Sequence, residues 1–250
     1  MKKAVTFLII ILLWFGKLSV IGEALAETGT LELEPEEGLF GYVEDNPYHS
    51  AVGDLLLSAN KFRKCQMLFL PSFDKESAVF LVRSGDNPKA NAIVVTAEMK
   101  EQLWGAINRF LMKEAGEGKL YTINPEDMRR ALSQVSRRVE RVEAEIDPST
   151  ADLLEKTWES MLLRVRYPPP SYEVGLDGET FHVAHWVNPS GYLTGKTWSP
   201  EPSTRIGDFV ELAKVLRKYP KLSGDQREAV RKDLISRAEA LLRRLNESGQ

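Results

Sequence analysis

The sequence has few of the residues that build disulfides, metal sites and nucleic-acid surfaces. Its 250 residues include one cysteine, Cys65, so no intramolecular disulfide can form and the body must be held together by packing. Only three histidines are present, and the 33 basic residues are outnumbered by 36 acidic ones. This balance argues against a general nucleic-acid binder, which carries a basic excess.

Long apolar runs are also missing, apart from one at the start of the chain. Two early lysines precede an uncharged stretch over 4–15, and the small residues Ala24 and Ala26 suit signal peptidase. This pattern predicts a secretory signal over 1–26 that is cleaved after Ala26. A membrane-spanning helix needs about 20 apolar residues, and Lys17 interrupts the run too early for that. The alternative is a signal that is left uncleaved and anchors the chain in the inner membrane.

Export through this signal predicts a periplasmic protein of the Gram-negative type, with secretion as the alternative. Removal of the signal takes away three lysines and one glutamate, which moves the formal charge from −3 to −5. The segment 27–45 carries seven acidic residues and no basic one. This composition predicts a solvated acidic leader, with disorder left open, ahead of a body over 46–250. Within the body, 119–124 is the candidate place for a subdivision.

Hydrophobic periodicity in the first part of the body alternates between strands and helices. The predicted strands lie at 66–70, 78–82 and 92–95, and the predicted helices around them lie near 49–61 and from Thr96 to about 116. Apolar residues then recur every three or four positions over 125–146 and again over 148–165. This spacing predicts an antiparallel pair of helices, each of which starts at an Asn-Pro or Asp-Pro signal.

The period changes from helical to alternating after the three prolines at 168–170. Segments 172–176, 180–187 and 191–198 predict a three-stranded antiparallel meander, in which Asp177-Gly178 forms the first tight turn. Two C-terminal helices are predicted to follow, one from Ser203 or Thr204 and one after Ser223. The order of strands, helices, strands and helices favours an α+β fold over a regular parallel sheet.

Two of the three histidines lie on one predicted strand, three residues apart. On a strand His182 and His185 point to opposite faces, so they cannot hold one metal ion together. No cysteine pair is available to complete a metal site with His49. We therefore expect neither a metal ion nor another cofactor.

One face of this strand is the candidate binding surface. An imidazole and an indole there can stack on a sugar ring or dock a partner, and three aromatic residues nearby in the sequence can extend the face. The candidate residues are His182, Trp186, Tyr172, Tyr192 and Trp198. The alternative is that a helix covers this face and makes it part of the core.

Three stretches of the chain resemble uncharacterised exported proteins of Gram-negative bacteria. They are Trp158-Glu159-Ser160-Met161-Leu162 through Arg166-Tyr167, Leu176-Asp177-Gly178-Glu179-Thr180-Phe181-His182, and Thr197-Trp198-Ser199-Pro200. The resemblance covers about 154–219 and implies an exported protein in which the hairpin and the following helix form one module. It implies no catalytic residue.

No recognisable pair of nucleophile and base emerges from the sequence. The chain is therefore predicted to be a non-catalytic periplasmic protein that binds another protein or a cell-wall component, with no nucleic-acid partner. The alternative is a cell-envelope hydrolase that uses His182 or His185 as its base.

Overall fold

A six-stranded antiparallel sheet lies at the centre of the fold. The computed structural model describes residues 32–36, 46–57, 63–83, 90–116, 124–167, 177–188 and 191–247. The strands are β1 (Arg63–Pro71), β2 (Ser77–Arg83), β3 (Ala92–Met99), β4 (Val139–Ile146), β5 (Glu179–Val187) and β6 (Gly191–Trp198). Their order in the sheet is β4-β3-β2-β1-β5-β6, so β4 and β6 are the edge strands.

Helices of the described residues cover the sheet on two sides. One face packs against α1 (Pro47–Leu57), α2 (Leu103–Ala115) and α3 (Pro125–Gln134). The other face packs against α4 (Pro148–Leu162), α5 (Arg205–Lys218) and α6 (Gly224–Glu247), with a short 3₁₀ turn at Tyr219–Lys221. The predicted α+β class and the two C-terminal helices are confirmed. None of the described helices has both the length and the apolar composition needed to span a bilayer.

The central strands read as continuous apolar runs because both of their faces are buried. In β1, Met67 and Phe69 enter the cluster beneath α4–α6, whereas Leu68 and Leu70 enter the cluster beneath α1–α3. This alternation follows from the two-residue period of a strand. The sheet therefore separates two apolar clusters that share the same strands.

Short polar side chains fix the starts of three helices. The side chains of Asn124, Asp147 and Thr204 each accept a hydrogen bond from a backbone N–H in the first turn of α3, α4 and α5. Proline follows Asn124 and Asp147, where its missing N–H costs nothing. The predicted Asn-Pro and Asp-Pro helix starts are confirmed.

The predicted helix over 125–146 is wrong in its second half. Helix α3 ends at Gln134, and Val139–Ile146 forms strand β4, which pairs with β3 along eight residues. The open edge of β3 offers backbone partners to this segment, and pairing buries Ala144 and Ile146 against α4–α6. Long-range pairing therefore overrides a helical spacing that was only approximate. The predicted helix from Thr96 is also displaced, because β3 extends to Met99 and α2 starts at Leu103.

The partner predicted for β5 is wrong as well. One edge of β5 pairs with β1, from Ala184 opposite Gln66 to Glu179 opposite Pro71, and the other edge pairs with β6. Strands β1 and β6 thus occupy the two edges of β5. The predicted partner, 172–176, lies outside the described residues. The antiparallel pairing of 180–187 with 191–198 is confirmed.

Part of the predicted acidic leader is packed against the sheet. We call Glu32–Glu36 the edge segment. Its Leu33 is fully buried, and both backbone groups of Glu34 bind Lys196 of β6, at 2.9 and 2.8 Å. Glu32 also bonds to Arg205 at 2.8 Å. The prediction of a solvated leader is therefore wrong for these five residues, because one apolar side chain and the open edge of β6 hold them in place.

Candidate functional site

The register of the β5–β6 hairpin decides which side chains share a face. Thr180 lies opposite Trp198, His182 opposite Lys196, and Trp186 opposite Tyr192. Residues opposite each other in an antiparallel pair point to the same side. His182, Trp186, Tyr192 and Trp198 therefore lie on the α1–α3 side of the sheet, as the alternation predicted. The fifth candidate, Tyr172, lies outside the described residues.

Three aromatic side chains on this face are partly open to solvent. The exposed fractions are 41% for Trp186, 36% for Tyr192 and 43% for Trp198. Rings of Trp186 and Tyr192 meet edge to face with their centroids 5.0 Å apart. Trp198 lies six strand positions away, which is about 20 Å. We call these three residues the aromatic hairpin surface.

The Trp198 end of this surface depends on a glycine. A Cβ atom at Gly178 would lie 2.6 Å from two atoms of the Trp198 ring, so a larger residue would force the ring to move. The backbone N–H and the hydroxyl of Ser72 both donate to the Gly178 carbonyl, which joins the loop after β1 to the start of β5. Phe73 in that loop is 78% exposed. Sequence reasoning did not single out this exposed ring, because the loop is distant from the hairpin in sequence.

His182 lies beneath the surface and does not belong to it. Its side chain is 5% exposed, and Nδ1 is hydrogen-bonded to the carboxylate of Glu36, which is 2% exposed. The His182 ring also meets the His49 ring of α1 edge to face, at 5.4 Å. The predicted role of His182 in binding is therefore corrected. Helix α1 and the edge segment cover the middle of the hairpin face, while its aromatic ends stay open.

The Glu36–His182 pair has a positioning role. A buried carboxylate is costly unless it is paired, so removal of His182 would take a hydrogen-bond partner from a buried charge. The pair holds the end of the edge segment against β5, while Glu34 holds the same segment against β6. The carboxylate on Nδ1 leaves only Nε2 of His182 as a candidate base, and the ring is 5% exposed, which restricts the access of a substrate to it.

His185 lies on the opposite face, beside the only cysteine. Its Nδ1 accepts a hydrogen bond of 3.3 Å from the Cys65 backbone N–H and lies 3.9 Å from Sγ. Burial lowers the pKa of His185 to about 4. Burial, and then the nearby Glu155 carboxylate, raises the pKa of the Cys65 thiol. The pair is therefore a neutral imidazole and a neutral thiol, whereas a cysteine nucleophile requires the thiolate.

Cys65 itself is part of the apolar cluster beneath α4–α6. It is fully buried and sits at a bulge of β1, where its φ is 49°. Within the described residues, no group of three or more histidine, cysteine, aspartate or glutamate side chains could hold a metal ion.

A buried carboxylate that the sequence does not reveal joins α1 to the start of α2. Glu76 is fully buried and accepts hydrogen bonds from the Tyr48 hydroxyl at 2.9 Å and from the backbone N–H groups of Leu103 and Trp104 at 2.8 Å. Gln102 makes no capping bond, so Glu76 caps α2 from 27 residues away. Burial, and then the charge of Glu76, raises the pKa of Tyr48. No local motif indicates a cap supplied over this distance.

The comparisons with known proteins do not assign this chain to a family. Neither the protein-family models, nor the curated proteins, nor the solved structures give a significant match to this chain. The argument for function therefore starts from the geometry of the hairpin.

Proposed function

We propose that the chain is an exported, non-catalytic binding protein that contacts another protein or a cell-wall component through the aromatic hairpin surface. The observation that carries this proposal is the partial exposure of Trp186, Tyr192 and Trp198 on one side of one hairpin. Tryptophan and tyrosine are enriched at the energetic centres of interfaces, because they bury a large apolar area and keep one polar group.

The surroundings of these rings support a surface that is ordered before it binds. Trp186 and Tyr192 restrict each other through their edge-to-face contact, and β5 is paired on both edges. The Glu36–His182 pair fixes the edge segment beside them. Side chains that are already held lose little freedom on binding, so more of the contact energy contributes to affinity.

Polar groups between the two aromatic ends support the same function. Thr194 and Lys196 lie on the same face, between Tyr192 and Trp198, and both are partly exposed. A hydroxyl and an ammonium group can donate hydrogen bonds to a ligand that already stacks on the rings. This mixture of apolar rings and polar donors suits a protein partner or a polysaccharide.

Substitution of one ring tests the proposal. We expect Trp186→Ala to weaken capture of the partner from envelope extract by at least about tenfold, since truncation at an interface centre removes much of the contact energy. The free energy of unfolding should change by less than about 1 kcal/mol, because Trp186 is 41% exposed. Retained fractions are measured by pull-down at several concentrations, and stability by urea denaturation.

Met112→Ala is the matched control, since Met112 is 61% exposed on α2, a helix that contributes no residue to the aromatic hairpin surface. This variant should capture the partner as well as the unchanged chain does. Equal capture by Trp186→Ala and the unchanged chain would exclude the aromatic hairpin surface. Unfolding caused by Trp186→Ala would show that the indole is part of the core.

A further inference from the structure

A groove between α1 and α3 contains none of the residues of the aromatic hairpin surface. It encloses about 430 Å³, and its walls come from the two helices and from the turn before β4. The lining residues that carry the argument are Ser50, Asp54, Leu55, Arg129, Leu132 and Arg137. Small-molecule sites in proteins have volumes of about 300 to 1,000 Å³. The groove is therefore large enough to hold a small ligand.

The groove has an apolar floor and a polar mouth that is open to solvent. Leu132 is 7% exposed and belongs to the apolar cluster beneath α1–α3, and Leu55 packs against the same cluster. By contrast, Ser50, Asp54 and Arg137 are exposed. A small-molecule site typically combines apolar walls, which bury the body of the ligand, with a few polar groups that orient it. The lining of this groove follows that pattern.

The Arg137 end of the groove lies next to β4, which starts two residues later, and is far from the edge segment. His49 in the first turn of α1 meets the ring of His182 on β5. In the last turn of α1, the carbonyl of Leu55 accepts a hydrogen bond from Arg141 of β4. Helix α1 therefore crosses the sheet from β5 to β4, a distance of four strand spacings or about 19 Å. The edge segment is held at β5 and β6 and does not reach this end of the groove.

The charged side chains give the groove a net positive lining. Arg129 and Arg137 contribute two positive charges and Asp54 contributes one negative charge, so the formal charge of the lining is +1. Within the part of the chain that the structure describes, neither Asp54 nor Arg137 forms an ion pair. A guanidinium group donates two parallel hydrogen bonds to a carboxylate, which fixes its orientation. A ligand with a single negative charge therefore complements the lining.

We propose that the groove between α1 and α3 binds a small amphipathic carboxylate. The carboxylate contacts the guanidinium group of Arg137, and the apolar body of the ligand lies on Leu55 and Leu132. A phosphate monoester fits less well, because its charge at neutral pH is about −1.5 to −2 and the excess would meet Asp54. The inference does not depend on the binding function proposed above, since the two sites share no residue.

Octanoate is the probe for this site, and its binding to the ¹⁵N-labelled protein is followed by NMR titration. We expect a dissociation constant of about 1 mM, which is within the range that ten non-hydrogen atoms can supply. The shifted backbone amides should cluster in α1 and in the stretch from Arg129 to Arg137. Octanamide, which has the same length and no charge, should bind at least about tenfold more weakly. Octyl phosphate should also bind more weakly than octanoate.

Two neighbouring arginines provide a matched pair of variants. Arg137→Gln should lower the affinity for octanoate at least about fivefold, because it removes the charged donor. Arg138→Gln removes the same charge from an exposed residue that does not line the groove, and its affinity should stay within about twofold of the unchanged protein. Asp54→Asn should raise the affinity about two- to threefold, because it removes a repelling charge.

The results that would overturn the site are distinct for each part of the proposal. Equal losses in Arg137→Gln and Arg138→Gln would show that octanoate responds only to the general positive charge. Octyl phosphate that binds as tightly as octanoate would exclude the assignment to a carboxylate. An absence of shifts in α1 and α3 at 20-fold the expected dissociation constant, about 20 mM octanoate, would exclude the groove itself. Urea denaturation of each variant checks that a change in affinity does not come from unfolding.

Discussion

At the scale of single residues, the two histidines of β5 differ because their neighbours differ. His182 is buried against a carboxylate and ties the edge segment to the sheet, whereas His185 is buried against a thiol and a backbone N–H. The alternation of the strand predicts that they face opposite sides. It could not predict the pairing of His182 with Glu36, which is 146 residues away. Such a contact depends on strand order, which local periodicity does not encode.

His185 should make the stability of the fold depend on pH. Burial lowers its pKa from 6.5 to about 4, so between these values only the unfolded chain binds a proton at this residue. The contribution of neutral His185 to the free energy of unfolding is complete above pH 6.5 and is lost as the pH falls towards 4. We expect a loss of about 2 to 3 kcal/mol between pH 7 and pH 4.5. Urea denaturation at the two pH values measures it.

The variant His185→Asn separates this effect from the titration of other groups. Asparagine keeps a hydrogen-bond acceptor for the Cys65 backbone N–H but does not bind a proton in this range. The variant should therefore lose about 2 to 3 kcal/mol less than the unchanged chain over the same pH interval. An identical loss in both proteins would show that His185 does not control the pH dependence.

At the scale of elements, the edge segment is the most direct departure from the sequence prediction. Its acidic composition indicates a solvated chain, yet Leu33 is fully buried beside Gly195 and the end of α4. A single apolar residue among several acids is a weak signal, because composition averages over the segment. Strand β4 shows the same limit: the approximate helical spacing over 139–146 did not reveal that β3 had an open edge. By contrast, the caps of α3, α4 and α5 and the continuous apolar runs of β1 and β2 are local signals, and they were sufficient to predict these elements.

Truncation of Leu33 tests whether the edge segment is part of the folded body. We expect Leu33→Ala to lower the free energy of unfolding by about 2 to 4 kcal/mol, since it leaves a cavity under a fully buried side chain. Leu163→Ala is the matched control, because Leu163 is 68% exposed, and it should change stability by less than about 0.5 kcal/mol. Equal stabilities of the two variants in urea denaturation would place Leu33 in solvent.

At the scale of the whole molecule, helices cover the two faces of the sheet to different extents. The α4–α6 side is closed by three helices, whereas on the α1–α3 side the helices leave the ends of the β5–β6 hairpin open. The open aromatic rings thus lie at one border of the sheet. This arrangement is what supports the proposed function.

Export is the remaining property of the whole molecule that can be tested. Every helix and strand that the structure describes lies after Ala26, so cleavage there would leave all of them intact. We expect the protein recovered from the periplasm of a Gram-negative host to have the mass of a chain that starts at Glu27. Ala26→Phe should block cleavage, because signal peptidase requires a small residue at that position, and the uncleaved chain should stay with the membrane fraction. Recovery from the cytosol of a chain that still begins with Met1 would refute export. The partner would then have to be sought inside the cell.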